Sequence, residues 1–274
     1  MKRPAVHRRA VLTGIGAGLA VGALPARTRT AATAAAEANG AGANAAGETN
    51  GGGKARQVGD TTEAIAILGT GRYGSTLGKL WAARGHAIHF GSRTPQDDRV
   101  KALVEACGAK ASVSQPSEAA TRADVIVFAL PWKGAQELLP SLGDLPGKIV
   151  IDPMNALKMV ARYPEPPDIA TSVAEELQAA LRGAYVVKAL NTPAGRSVAD
   201  PKRVATPLTI AMAGQNAAAK ARVAALISEL GLEPLDVGPL IAARYLEGMM
   251  RLSVGYFMYS GKAFEFYLSP VKSA

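Results

Sequence analysis

The chain reads as an α/β protein: a doubly wound, mainly parallel sheet of about eight strands, with a small helical segment at the carboxyl end. Three observations predict this. Short apolar runs recur from residue 64 to residue 237 and alternate with stretches of helical length, the pattern of βαβ units. The first run, AIAIL at 64–68, is apolar throughout instead of alternating, as expected of a strand covered on both faces. That run passes directly into three spaced glycines that open a helix, the first turn of a nucleotide-binding sheet.

The elements follow in order. Strand 64–68 leads through the glycine turn into a helix over about 72–84. A second strand at 86–91 precedes a helix at 97–107, a short strand at 110–113 and a capped helix at 117–121. A strong strand at 124–130 is followed by a helix at 133–139 and a strand at 148–152. A helix at 172–182 precedes the strand 184–190, and strands 208–213 and 233–237 flank a helix at 217–230. Right-handed crossovers make this a Rossmann-type sheet extended beyond the usual six strands. The last segment, 239–267, places Leu240, Tyr245, Met249, Leu252, Tyr256 and Tyr259 at helical spacing. It predicts one long helix that covers the ligand crevice, forms a dimer seam, or packs on the core.

The glycine turn is Gly69-Thr70-Gly71-Arg72-Tyr73-Gly74, a G-x-G-x-x-G spacing. Gly69 allows the tight turn, Gly71 lets a pyrophosphate approach the backbone, and Gly74 lets helix and strand pack closely. The helix then aims its N–H groups and positive dipole end at the phosphates. The end of the second strand selects between two nucleotides. NAD sites place Asp or Glu there for the ribose hydroxyl, whereas this chain has Gly91-Ser92-Arg93-Thr94. A hydroxyl beside a guanidinium suits a 2′-phosphate, so NADP is the expected cofactor.

In open α/β sheets ligands sit outside the carboxyl ends of the strands. Those ends deliver Leu130-Pro131-Trp132, then Asp152-Pro153-Met154-Asn155, then Asn191-Thr192-Pro193. Pro131 fixes the chain beside a ligand, and Trp132 stacks on a flat ring or caps the sheet. Asn155 and Asn191 bond a carboxamide or close turns.

Upstream of the fold, the domain reading has three parts to place: a leader at 1–34, a linker at 35–60, and then the nucleotide-binding unit 61–238 with its helical segment 239–274. The leader is basic (Lys2, Arg3, Arg8, Arg9), followed by a weakly apolar stretch over 10–24. The stretch is short for a membrane span and suits a signal core. Arg8-Arg9 resembles a twin-arginine export signal, with Ala32-Thr33-Ala34 as a cleavage point. The expected location is periplasmic or extracellular, and cytoplasmic if the signal does not function. The linker is Ala, Gly, Asn and Thr with almost no bulky side chains, a composition that reads as disordered.

Residues 1–57 hold eight of the 31 Lys/Arg and two of the 22 Asp/Glu, so the rest carries 23 positive against 20 negative charges. That near balance, without a basic stripe and interleaved aromatics, argues against a nucleic-acid partner. The single Cys107 excludes an intramolecular disulfide and a four-cysteine metal site, and no metal is expected.

The chain resembles the NADPH-dependent coenzyme F-420 reductase family, the F-420-dependent NADP oxidoreductases. The matching pieces are AILGTGRYGSTLGKLWAARGH, FGSR, DVIVFALPW, KIVIDPMNAL, VVKALNTPAG and LEPLDVGPLIAARYLEGM, in order over about 63–250. The resemblance implies hydride transfer between the nicotinamide and C5 of a deazaflavin. It implies that Thr70, Ser92 and Arg93 hold the 2′-phosphate, that Leu130–Trp132 line the nicotinamide, and that Asn191–Pro193 face the deazaflavin. Two departures stand out. Where the family often has a basic residue four positions after the Arg of the Ser-Arg pair, this chain has Asp97, with Arg99 nearby; where some members have His in the strand-six segment, it has Asn191.

Catalytic residues are not identified. His7 lies in the leader, and His86 and His89 belong to the second strand, whereas reductions of alcohols and carbonyls call on a proton donor in the pocket. Hydride exchange between two cofactors needs mainly positioning. The expected partners are small-molecule cofactors, with NADP bound, F-420 as co-substrate, no stable membrane span, and a second copy in a homodimer. Two other readings stay open: an NADP-dependent reductase of another acceptor (an imine, quinone or ferric chelate), with Tyr245 or Tyr256 as proton donors, and a non-catalytic NADP-binding module.

Overall fold

Strand formation follows the apolar runs. The computed structural model describes residues 62–160, 163–165, 170–203, 208–266 and 268; the leader 1–34 and linker 35–60 lie outside the described residues. In chain order the strands are β1 (Ala64–Leu68), β2 (Ala87–Gly91), β3 (Ala111–Ser114), β4 (Val125–Phe128), β5 (Ile149–Asp152), β6 (Met159–Val160), β7 (Tyr163–Pro164), β8 (Tyr185–Lys188), β9 (Thr209–Gly214) and β10 (Glu233–Asp236). Eight of them form one sheet in the order β10-β9-β8-β5-β4-β1-β2-β3. All its pairs are parallel except β8 with β9, where Val187 faces Gly214 and Lys188 faces Ala213. The expected doubly wound, mainly parallel sheet of eight strands is therefore observed, with one antiparallel step that the sequence reading did not specify. β1 runs at the centre between β2 and β4, and β10, with Pro234 inside it, forms one edge.

The helices are α1 (Arg72–Ala82), α2 (Asp98–Cys107), α3 (Pro116–Thr121), α4 (Trp132–Leu142), α5 (Val173–Ala180), α6 (Gly195–Ala199), α7 (Ala217–Glu229) and α8 (Ala243–Ser260). Three of these eight helices start on a side-chain cap. Asp97 accepts from the Arg99 N–H, Ser172 from the Glu175 N–H and Asn216 from the Ala219 N–H, each satisfying an orphan donor of a first turn. Alternate residues of each central strand feed two cores. Ile65, Ile67, Val125 and Val127 pack with Leu77, Trp81 and Phe90 on one face. Ala66, Leu68, Ile126 and Phe128 pack with Val173, Ala174 and Leu177 on the other. The buried Trp81 indole donates to the Leu226 carbonyl at 3.0 Å, fastening α1 to α7.

Three expectations need correction. The single helix over 239–267 is instead a 3-10 turn, Leu240–Ala242, followed by α8, which stops at left-handed Gly261. The Gly261 N–H bonds the Phe257 carbonyl at 2.8 Å, closing the last turn; residues 262–266 are not helical, and Tyr267 lies outside the described residues. The predicted apolar stripe is also not the packed face. Of its six residues only Leu240 is buried, and α8 instead buries Ala243, Leu246, Glu247 and Gly255. Finally, His86 precedes β2 instead of opening it. Its Nδ1 accepts from the Glu63 N–H at 2.8 Å, so Nε2 carries the proton and donates to the Glu229 carboxylate at 2.6 Å. Among the described residues, no helix is long and apolar enough to cross a membrane.

Candidate cofactor site

The turn from β1 into α1 is shaped by close contact. Gly69 holds φ at +115°, a region that side chains avoid, and a Cβ there would collide with the Ala129 carbonyl at the end of β4. A Cβ on Gly74 would collide with the Gly69 carbonyl, so this glycine seats the helix against the turn. Gly71 differs: nothing lies within 4 Å of the position its Cβ would take. It is also the N-cap of α1, which has no side-chain cap and no acidic residue in its first turn. The first N–H groups of α1 thus face an open cradle and retain their donors and dipole for an anion. A pyrophosphate fits this arrangement.

Around the cradle the strand ends bring the expected residues to one edge of the sheet. Ser92 and Arg93 follow β2; Ser92 is buried and accepts from the Thr94 N–H at 3.2 Å, while Arg93 is exposed. Leu130 follows β4 and Pro131 caps α4, whose first residue is the half-buried Trp132. A cleft of about 510 Å³ beside the turn is lined by Thr70, Gly71, Arg72, Ser75, Lys79 and Arg99. Three cations therefore gather next to the glycine cradle, two of which the sequence reading did not assign. Lys79 lies two turns beyond Arg72 on α1, and Arg99 sits in the first turn of α2; their helical spacing toward the turn was the available signal.

The far half of the edge is held by polar side chains. Asn155 donates to the Asn191 carbonyl at 2.9 Å, and the buried Asn191 amide donates to the Asn155 side-chain oxygen at 3.0 Å and to the Leu246 carbonyl at 2.9 Å. Both asparagines thus join β5, β8 and α8. Tyr73 belongs to this half as well. Its hydroxyl donates to the Leu190 carbonyl at 2.8 Å, and its ring lies against Gly195. Burial, with the Glu265 charge adding to it, pushes the Tyr73 phenol well above the usual range, so it stays a donor. The residue it holds, Leu190, takes φ +62°, an uncommon conformation for a branched side chain and a mark of functional strain. Thr192 and Pro193 follow directly and lead into α6.

Beneath these loops lies a cluster that sequence reasoning missed. Lys188, fully buried on β8, donates to Asp152 at 3.0 Å, to Glu247 at 2.8 Å and to the Met154 carbonyl at 2.6 Å. The second Asp152 oxygen accepts from the Met154 N–H, and Glu247 also accepts from the Val173 N–H. Burial pushes the Glu247 carboxyl up, partly opposed by the Lys188 charge. The cluster ties the ends of β5 and β8 to α5 and α8. Its signal in the sequence was a lysine within the apolar strand VVKAL.

Fold and cradle together define a Rossmann-type α/β protein with a glycine turn shaped for a dinucleotide. Residues 64–156 match the family model described as NADP oxidoreductase, coenzyme F420-dependent. A protein from Arthrobacter sp. FB24, whose assignment as an F420-dependent NADP-reductase is itself a proposal, has a similar structure with TM-score 0.69. It is 28% identical, and the match covers 76% of this chain and 100% of that one. The hypothetical protein SMa0349 from Sinorhizobium meliloti is 30% identical with TM-score 0.57, over 66% of this chain and 87% of its own. Metalloreductase STEAP3 of Rattus norvegicus is 27% identical over 185 residues, 68% of this chain and 36% of that protein. The chain thus spans about a third of the curated relatives it matches. A reductive aminase from Aspergillus terreus, 19% identical with TM-score 0.53 over 73% of this chain and 63% of its own, shares the fold. The likeness to F420-dependent NADP oxidoreductases thus rests on residues 64–156, the segment from β1 to the turn after β5.

Proposed function

We propose that the protein is an NADPH-dependent oxidoreductase that exchanges a hydride between NADP(H) and the deazaflavin coenzyme F-420. The observation that carries the nucleotide half is the uncapped start of α1 behind the open position at Gly71, with Ser92 and Arg93 at the neighbouring strand end. When bound, NADPH supplies the hydride. Gly69–Gly74 would hold the pyrophosphate, and Thr70, Ser92 and Arg93 the 2′-phosphate. Leu130, Pro131 and Trp132 would flank the nicotinamide ring and exclude water, while Asn191, Thr192 and Pro193 would face the acceptor. The chain's task is then to stack two rings in register, which lowers the barrier by orientation. The match of residues 64–156 to the coenzyme F420-dependent family model supports the deazaflavin as acceptor. A second reading, reduction of a ferric chelate, is favoured by the likeness to a metalloreductase.

The test mixes the protein with NADPH and oxidised F-420 and follows deazaflavin absorbance, with NADH and Arg93→Ala in parallel. Bleaching with NADPH is expected. A charge-assisted phosphate contact is worth about 1.5–3 kcal/mol, so NADH and the variant should each bind about 10- to 100-fold more weakly. Reduction of ferric chelates without bleaching would replace the acceptor, and tight NADPH binding with no oxidation by any acceptor would leave a sensing module. We further propose that the exposed aromatic face of α8 seats a second copy of the chain and that the basic leader directs export.

A further inference from the structure

A second cleft, about 500 Å³, opens between α5, α8 and the segment after β5. Its wall is rich in charge, and most of those charges are paired. Lys158 meets Glu165 at 3.2 Å. Arg244 holds Glu175 through two nitrogens, at 2.8 and 2.7 Å. Glu247 is taken up by Lys188 and the Val173 N–H. Glu176 is exposed and makes no ion pair among the described residues.

Arg251, half-buried one turn beyond Glu247 on α8, is the cation of this wall that meets no carboxylate among the described residues. Its two Nη atoms donate to main-chain carbonyls, Glu165 at 3.1 Å and Ala156 at 2.9 Å. Among the described residues no carboxylate lies within ion-pair distance of it, and its buried Nε–H has no acceptor. A guanidinium drawn partly out of water without a counter-charge is unfavourable, and an unmade buried hydrogen bond adds to the cost. Two of its five N–H donors are taken by the Glu165 and Ala156 carbonyls, and the planar charge with its remaining donors matches the oxygens of a carboxylate or phosphate.

We propose that this cleft binds a small anionic ligand, a carboxylate or phosphate group, whose oxygens supply the missing counter-charge to Arg251. Lys158 and Arg244 add positive potential at the rim, while Glu165, Glu176 and Glu247 oppose it and confine the site to ligands with one compact anionic group. Glu176, being exposed and unpaired, sets the affinity without holding the fold. The proposal goes beyond the hydride-transfer reading and does not rest on it.

The test is calorimetric titration of the protein saturated with NADP+, so that the glycine cradle is already filled, with inorganic phosphate and separately with acetate. Saturable binding is expected for at least one, and the stronger of the two identifies the source chemistry. Arg251→Gln should weaken it at least about tenfold, with Arg251→Lys between, because the fork carries the recognition. Glu176→Gln removes an opposing surface charge and should tighten binding by up to about fivefold; this variant keeps the test sound if Arg251 variants loosen the segment they pin. Absence of saturable binding by both anions in the wild type overturns the proposal. So does equal affinity of wild type, Arg251→Gln and Glu176→Gln. Hydride transfer is scored in a separate assay, so either reading can fail while the other stands.

Discussion

Single atoms separate the three glycines of the cofactor turn. Because nothing occupies the space in front of Gly71 and its backbone is extended, Gly71→Ala should fold with unchanged or slightly higher stability, by up to about 1 kcal/mol. The added methyl would project where the pyrophosphate approaches, so NADPH affinity measured by fluorescence should fall at least about tenfold. Gly74→Ala should show the reverse order of damage. Its Cβ meets the Gly69 carbonyl, and such overpacking costs about 1–3 kcal/mol, visible as a lower Tm before any ligand is added. Unchanged NADPH binding in Gly71→Ala would remove the turn from the site. The glycine positions were readable from spacing alone, since each has a local backbone reason. Tyr73 was not: its hydrogen bond to Leu190, 117 positions away, has no local signature, so a residue expected against the nucleotide also serves to hold a strained loop.

At the scale of elements, the buried ion cluster decides how α8 lies. Periodicity left the aromatic stripe open to the crevice, a dimer seam or the core; it is a different face that packs, where Glu247 meets Lys188 and the start of α5. No helical pattern can show a partner that arrives from another strand, which is why this orientation was illegible. The two-residue strands β6 and β7 were equally invisible, being too short for a period, whereas the four- to six-residue apolar runs of the main sheet were plain. Lys188→Met would leave Asp152 and Glu247 buried without their cation, a loss of about 3–5 kcal/mol that urea denaturation would register; an unchanged midpoint would show that the cluster is not structural. The Glu175–Arg244 pair adds a pH dependence. The guanidinium holds the Glu175 carboxyl below the usual carboxylate range. A lowered folded pKa gives stability that is present above the unfolded value and lost as pH falls through the folded one. Between about pH 6 and pH 3, Tm should therefore fall less in Glu175→Gln than in wild type; equal slopes would refute the pairing.

On the scale of the whole molecule, one sheet carries two clefts with different clientele: a cradle of helix N–H groups and cations for a nucleotide, and a mixed-charge recess under α8. The place of β1 inside the sheet explains why the residues of the candidate site could be listed from the sequence. The strand that carries the glycine turn lies between β2 and β4, so Ser92, Arg93 and Leu130–Trp132 reach it from adjacent strands, as strand order alone requires. The outermost strand has a different consequence. β10 reads Glu-Pro-Leu-Asp, and an edge of this kind denies a foreign strand the ladder it would need, since Pro234 offers no N–H and charged side chains flank it. Pro234→Val should convert this edge into a template. Incubated at 37 °C, the variant should form thioflavin-positive aggregates while the parent stays clear, and equal turbidity in both would place the guard elsewhere. The proline's service is thus to the neighbours: it keeps one molecule's sheet from recruiting the next.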